Sequence, residues 1–351
     1  MTLFDVKPLD MEIYRQELMG FLPSRIIDIH AHIWLKSLMT APGSDYIKRQ
    51  VSWPSKVAED NSVEDLVETY RLMFPGKTVT PMMFASVTLY KNIADLNAYV
   101  AESARRFGFP ALFYAHPGMT ADELERGIRS GGFLGVKSYL NLAPEYLPEA
   151  EIRIYDFFPK HHLEVVDRLG MIVMLHIPRN DRLKDPVNIA QILEIRRNYP
   201  NLQLIVAHVG RAYCESDVGD ALEKLGVAEG ILFDFSANCN RHVFEWLIRA
   251  VGPKRILFGS DLPILRMRTR RIDENGRYVN LVPPGLYGDV SNDSHLRETS
   301  AEDAESITFF MYEEILAMKA AAARCGLLAD DIEDMFHNNA ARVIAAAKTG
   351  V

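Results

Sequence analysis

The chain has 351 residues, 48% hydrophobic and 25% charged, a composition that supports a large folded core and argues against disorder. Its net charge of −8 argues against a general nucleic-acid binder, which needs a basic surface. Three cysteines without CxxC spacing, Cys214, Cys239 and Cys325, argue against a disulfide framework or a cysteine zinc site.

The elements follow in chain order. An N-terminal arm at 1–24, MTLFDVKPLDMEIYRQEL at its head, lacks the basic start and apolar run of a secretory signal. With no apolar run of roughly eighteen residues to span a membrane, a cytoplasmic protein without a membrane partner is the expectation. A first strand at 25–32 ends in His30-Ala31-His32, and a long link at 42–61 separates it from helical spacing over 62–73, with Val63, Leu66, Val67 and Tyr70 apolar. Strand–helix pairs then succeed one another: 82–87 with 92–107, and 111–115 with 120–129, whose helix opens on a T-x-x-E capping box. Next come 134–138 with 161–169, 171–176 with 187–199, 204–208 with 221–225, 231–235 with 243–251, and 255–259 with 305–324. A further helix at 329–347 closes the chain.

Continuous apolar runs such as MIVML, LIVA and ILFG suit strands buried on both faces. Eight β–α pairs predict a (β/α)8 TIM barrel as a single domain over 1–351, with long loops after strands one and eight and an extra C-terminal helix. An open doubly wound sheet would usually carry a glycine-rich phosphate turn after its first strand, where this chain has HAH. The link after strand one and the 264–302 insertion after strand eight both leave the strand ends at which barrels keep their active sites, and such long loops are usually lids or disordered.

Polar residues recur at those ends. Residues two apart on a strand share a face, so His30 and His32 point to one place, with Asp28 deeper on the same face as a support for a histidine or a member of a buried polar layer. Strand five ends in His176, strand six in His208, and strand eight runs into Asp261. Imidazole and carboxylate suit zinc and other divalent metals. Each residue alone has a plain structural reading: a histidine can hydrogen-bond a loop, and GSDLP reads well as a turn. Five such residues at one end of separate apolar strands make the shared site the stronger reading.

The chain resembles the amidohydrolase superfamily, and within it the amidohydrolase-related group that includes aminocarboxymuconate-semialdehyde decarboxylase. The resemblance rests on IIDIHAHIW, GVKSY, MIVMLHIPR, LIVAHVGR, ILFGSDLPI and the closing DIEDMFHNNAARVI, and spans 26–344. It implies one divalent metal, zinc foremost and manganese next, held by His30, His32, His176 and Asp261. His208 would then stand beside the metal-bound water as hydrogen-bond partner or general acid/base, and Asp261 would also accept a proton. In superfamily members with two metals a carboxylated lysine on strand four bridges them; Lys137 is the matching residue, its other readings being a substrate contact or a buried ion pair.

Arg179 and Arg211 each follow a strand-end histidine by three residues, where a guanidinium suits bidentate capture of a substrate carboxylate or plain surface pairing. His116 after strand three and Trp34 after the HxH pair are further candidates for substrate contact or for packing. Arg266, Arg268, Arg270 and Arg271 head the insertion, where they would reach the site, meet a neighbouring subunit or simply be solvated. The reading reached is a metal-dependent hydrolase of an amide, ester or lactone of a small, carboxylate-bearing substrate, with a homo-oligomer plausible. The alternatives are a metal-dependent non-oxidative decarboxylase using the same constellation and an inactive ligand-binding barrel.

Overall fold

The apolar runs pair in chain order. The computed structural model describes residues 2–38, 49, 53–86 and 93–348. Half of the link expected at 42–61 (residues 42–48 and 50–52), together with Val87 and Asn92 of the second strand–helix pair, lies outside the described residues. Strand β1 (Arg25–Ile33) lies parallel to β2 (Thr78–Ala85). A parallel sheet in sequence order holds β3 (Phe113–Tyr114), β4 (Gly135–Lys137), β5 (Ile172–Leu175), β6 (Gln203–Val206), β7 (Ile231–Asp234) and β8 (Ile256–Leu257).

Two seams join the sheets. Met83 bridges Ala111, and the Leu112 amide donates to the Met83 carbonyl at 2.9 Å. On the other side Ile29 N donates to Phe258 O at 3.0 Å, Asp261 N to His30 O at 2.8 Å and His32 N to Leu262 O at 3.0 Å. Strand eight thereby meets strand one, as the expected barrel requires.

Helices Val63–Met73, Ile93–Phe107, Ala121–Gly131, Lys160–Arg168, Pro186–Asn198, Ala221–Gly226, Arg241–Val251 and Phe310–Cys325 follow the strands. The capping box expected on the helix after strand three is present: Glu123 accepts from the Thr120 amide at 2.8 Å, and the Thr120 hydroxyl accepts from the Glu123 amide at 3.3 Å. Inside the ring, Ile27, Ile29, Met82, Met174, Ile205 and Leu257 form one apolar cluster with Ala340, Val343, Ile344 and Ala347. Those last four belong to Asn339–Lys348, a helix that plugs the barrel at the strand starts. Asn339 Nδ2 fixes it there by donating to the Pro253 and Ile256 carbonyls at 2.8 and 2.7 Å. The closing segment is not the single helix expected, because a π-helical turn at Asp334–Asn338 divides it.

Two expectations are corrected. First, β1 carries an extra residue relative to β2, since Asp28 pairs with Pro81 and Ala31 with Met83. The bulge breaks the two-residue alternation and takes Asp28 off the face of the two histidines. Its carboxylate instead accepts from the Tyr70 hydroxyl at 2.6 Å, from the Ser260 amide at 2.9 Å and from the Ser260 hydroxyl. Asp28 thus belongs to a buried polar layer and also accepts from the His30 amide at 3.0 Å.

Second, the 264–302 insertion is folded. Strands β9 (Arg270–Glu274), β10 (Arg277–Val282) and β11 (Leu296–Glu298) form a small sheet in the order β11-β10-β9. Asn275 and Gly276, with φ of 57° and 81°, turn the β9–β10 hairpin in the left-handed conformation that an Asn-Gly pair favours. The N-terminal arm anchors this insertion. Arg268 donates to Asp10 through both terminal nitrogens, at 3.0 and 2.7 Å, with Thr308 donating to the same carboxylate at 2.7 Å. Both members of the pair are buried.

Removing one partner of a buried pair strands the other charge in a low-dielectric site. Arg268→Ala is therefore expected to destabilise the protein by about 3–5 kcal/mol. Thermal and urea unfolding of the variant and of wild type check this, and a change below about 1 kcal/mol would show the pair to be dispensable.

Candidate metal centre and active site

The first histidine pair is built by the end of β1. His30 Nδ1 lies 3.0 Å from Asp234 Oδ2, and His32 Nδ1 lies 3.0 Å from the Ala85 carbonyl oxygen. Carboxylate and carbonyl oxygens only accept, so both rings carry their proton on Nδ1 and offer an Nε2 lone pair. Those two Nε2 atoms converge on one oxygen: Asp261 Oδ1 is 3.4 Å from His30 Nε2 and 3.1 Å from His32 Nε2. Three acceptors gathered without a proton between them repel one another unless a cation sits among them. The donor set of His30, His32 and Asp261, with ligand atoms all within 4.8 Å of one another, thus fits a divalent metal.

Asp234, which the sequence reading passed over, organises the same centre. Besides His30 its carboxylate accepts from the His208 amide at 2.8 Å, the Ser236 amide at 3.1 Å and the Ser236 hydroxyl at 2.5 Å. Despite full burial, His30, His208 and Ser236 hold it ionised, well below the usual carboxylate range. The strand pattern carries the signal for it: β7 ends in an acid, ILFD, where β5 and β6 run into histidines. Ser236 also holds His208, whose Nδ1 is 3.1 Å from the Ser236 carbonyl oxygen, leaving Nε2 unclaimed. His208, Val209, Gly210 and Arg211 all have positive φ, between 50° and 60°, a left-handed turn strained for residues other than glycine. Gly210 takes this conformation without strain, and an added Cβ would stand 2.5 Å from Leu183 Cδ1, which would have to move.

His30, His32, His208 and Asp261 line a cavity of about 110 Å³ together with Trp34, Lys137, Tyr139, His176 and Arg211. His176 stands outside the convergent triad. Its ring centroid is 5.3 Å from that of His208, its Nε2 is 3.3 Å from the Tyr139 hydroxyl, and its buried Nδ1 has no hydrogen-bond partner among the described residues. Lys137 is buried, with Nζ 5.5 Å from the Phe84 ring centroid and 5.9 Å from that of Tyr139. Burial pulls its ammonium down to about 8, against the opposing pull of Asp234 and Asp261. Arg211 is aimed by its Nη1, which donates to the Pro178 carbonyl at 2.9 Å. Trp34 donates from Nε1 to the Glu59 carbonyl at 2.9 Å and presents its ring to the cavity.

Two residues grouped with these in the sequence stand elsewhere. Arg179 is drawn away by Asp185, the cap of the Pro186–Asn198 helix, to which its Nε donates at 2.9 Å. His116 lines a separate, open pocket with Pro117, Gly118 and Asn141. The insertion adds residues that the sequence reading did not single out, Tyr278 of β10 among them, and it brings Arg271 of β9 to the cavity wall. The other arginines of its head are occupied: Arg268 with Asp10, Arg270 near Glu313 at 3.8 Å, and Arg266 with the Val57 carbonyl at 3.2 Å.

Comparison with known proteins agrees with this architecture. A search of curated proteins finds no match. Among solved structures, the chain is similar to 2,6-dihydroxybenzoate decarboxylase from Rhizobium, at 14% identity and a TM-score of 0.53, covering 92% of this chain and 99% of that one. It is also similar to an amidohydrolase from Burkholderia multivorans with bound zinc, at 15% identity and 0.55, covering 91% and 99%. A third is 5-carboxyvanillate decarboxylase from Novosphingobium aromaticivorans with bound manganese, at 12% identity and 0.55, covering 93% and 98%. At these identities the likeness is one of fold. The sequence profile of the amidohydrolase family matches residues 27–345, nearly the whole chain, and the protein belongs to that family of metal-dependent enzymes.

Proposed function

We propose that this protein is a metal-dependent hydrolase that attacks an amide, ester or lactone of a small, carboxylate-bearing substrate. The observation that carries this is the convergence of His30 Nε2, His32 Nε2 and Asp261 Oδ1 in a cavity whose other charged walls are cationic. His30, His32 and Asp261 would hold the metal, with His176 as the fourth ligand suggested by sequence. When bound, a divalent cation polarises a carbonyl and makes water acidic enough to lose a proton near neutral pH.

The chain's own residues do the rest. His208, fixed at Nδ1 by Ser236, presents Nε2 to accept a proton from the attacking water and to return it to the leaving group. The second oxygen of Asp261 is a further proton acceptor beside it. Lys137 and Arg211 orient the substrate carboxylate, and Trp34 and Tyr139 close the walls against bulk water.

A second reading, non-oxidative decarboxylation, draws on two of the structural relatives, which are decarboxylases. The same cations would orient the departing carboxylate while His208 or Asp261 delivers a proton to carbon. Product analysis separates the two, since only the lyase releases carbon dioxide.

Metal analysis by elemental mass spectrometry tests the centre itself. Wild type is expected to carry about one zinc or manganese per chain, lost in His30→Ala and Asp261→Ala. Two metals per chain, reduced to one in Lys137→Ala, would instead assign Lys137 as a carboxylated bridge, and a folded wild type that takes up no metal would overturn the proposal. Asp234→Asn keeps the shape but loses the charge behind His30. It is expected to weaken metal affinity roughly 10–100-fold, measured by chelator competition; unchanged affinity would mean that Asp234 does not tune the centre.

A further inference from the structure

Among the described residues the cavity wall holds three basic side chains, Lys137, Arg211 and Arg271, and one carboxylate, Asp261, which the metal centre uses. One substrate carboxylate shared by Lys137 and Arg211 leaves Arg271 over. Its surroundings are those of a held ligand-binding group rather than of a solvated charge. The guanidinium carbon lies 4.8, 4.6 and 4.5 Å from the ring centroids of Tyr213, Tyr278 and Phe310. Nη1 donates to the Ala237 carbonyl at 2.6 Å and Nε to Asn280 Oδ1 at 2.9 Å. Both tethers are neutral, and among the described residues Nη2 is left over.

A second guanidinium nearby shows what a purely structural arginine looks like here. Arg182 also packs on Tyr278, at 4.9 Å, but it is neutralised by Asp217 at 2.7 Å. Among the described residues no carboxylate lies within ion-pair distance of Arg271. Nor do the hydroxyls of Tyr213 and Tyr278, both on the cavity wall, bond to any described residue. A fixed planar cation packed against two tyrosines that also line the cavity offers a carboxylate a fork, with hydroxyl donors on the same wall.

We propose that the insertion builds an outer anion subsite, centred on Arg271 with the Tyr213 and Tyr278 hydroxyls, that selects substrates carrying a second carboxylate away from the reacting end. This rests on the carboxylate-substrate reading above but not on which bond is cleaved, so it holds for hydrolase and decarboxylase alike. Arg271 is a specificity-determining residue, contributed by a segment outside the barrel repeat.

Calorimetric titration of the zinc-loaded protein with benzoate and with isophthalate tests it. Wild type is expected to bind isophthalate at least about tenfold more tightly than benzoate, the worth of one charge-assisted contact. In Arg271→Met that ratio is expected to collapse toward one. Zinc content reports whether the variant is folded; if Arg271→Met fails that check, Arg271→Lys, which keeps the charge and loses the fork, decides on the same ratio. Equal binding of the two acids by wild type, or a preference that survives loss of the fork, would overturn the subsite and leave the carboxylate-substrate reading standing. Failure of both acids to bind the loaded wild type would sink both readings.

Discussion

The centre depends on one buried carboxylate. Asp234 sits at the end of β7 with no access to water, and an ion there persists only if its lone pairs are claimed by donors. The donors come from three different strand ends: the ring of His30 near the end of β1, the amide of His208 after β6, and the amide and hydroxyl of Ser236 after β7 itself. Satisfying the charge therefore fixes the relative positions of three loops at once. It also settles the His30 tautomer, and through Ser236 that of His208, so the direction of each lone pair follows from electrostatics rather than from side-chain packing.

Around that anchor the backbone is strained. His208, Val209, Arg211, Ala237 and Asp261 all occupy the left-handed region without being glycine. Each costs on the order of 1–2 kcal/mol, and such conformations persist where the surroundings over-determine them. Here the surroundings are visible: Asp234 holds the His208 amide, the His30 carbonyl holds the Asp261 amide, and Arg271 holds the Ala237 carbonyl. The strain buys loops that turn abruptly at the strand ends and aim their side chains into the cavity.

Much of this was legible before the structure. Apolar runs ending in histidine or aspartate located the barrel, its open end and the His30–His32–Asp261 convergence, because strand periodicity and burial act locally. What escaped depended on contacts distant in sequence or on breaks in the period. The bulge in β1 moved Asp28 to the other side, an event invisible to a rule that counts by two. Asp185, six residues on, took Arg179 out of contention. The Asn275–Gly276 pair is a strong hairpin signal set between alternating residues, yet the length of the segment concealed it. Asp234 was readable in principle, since an acid at the end of an apolar strand needs the same explanation as a histidine there.

The latch between Arg268 and Asp10 has a consequence for how such a barrel can be altered. The β9–β11 sheet is bound to the first turns of the chain and not only to the ring, so the start of the polypeptide and the segment after strand eight behave as one inherited part. Transplanting the sheet alone onto a related barrel would leave an arginine buried without its acid. A working chimera has to carry residues 2–18 along with it.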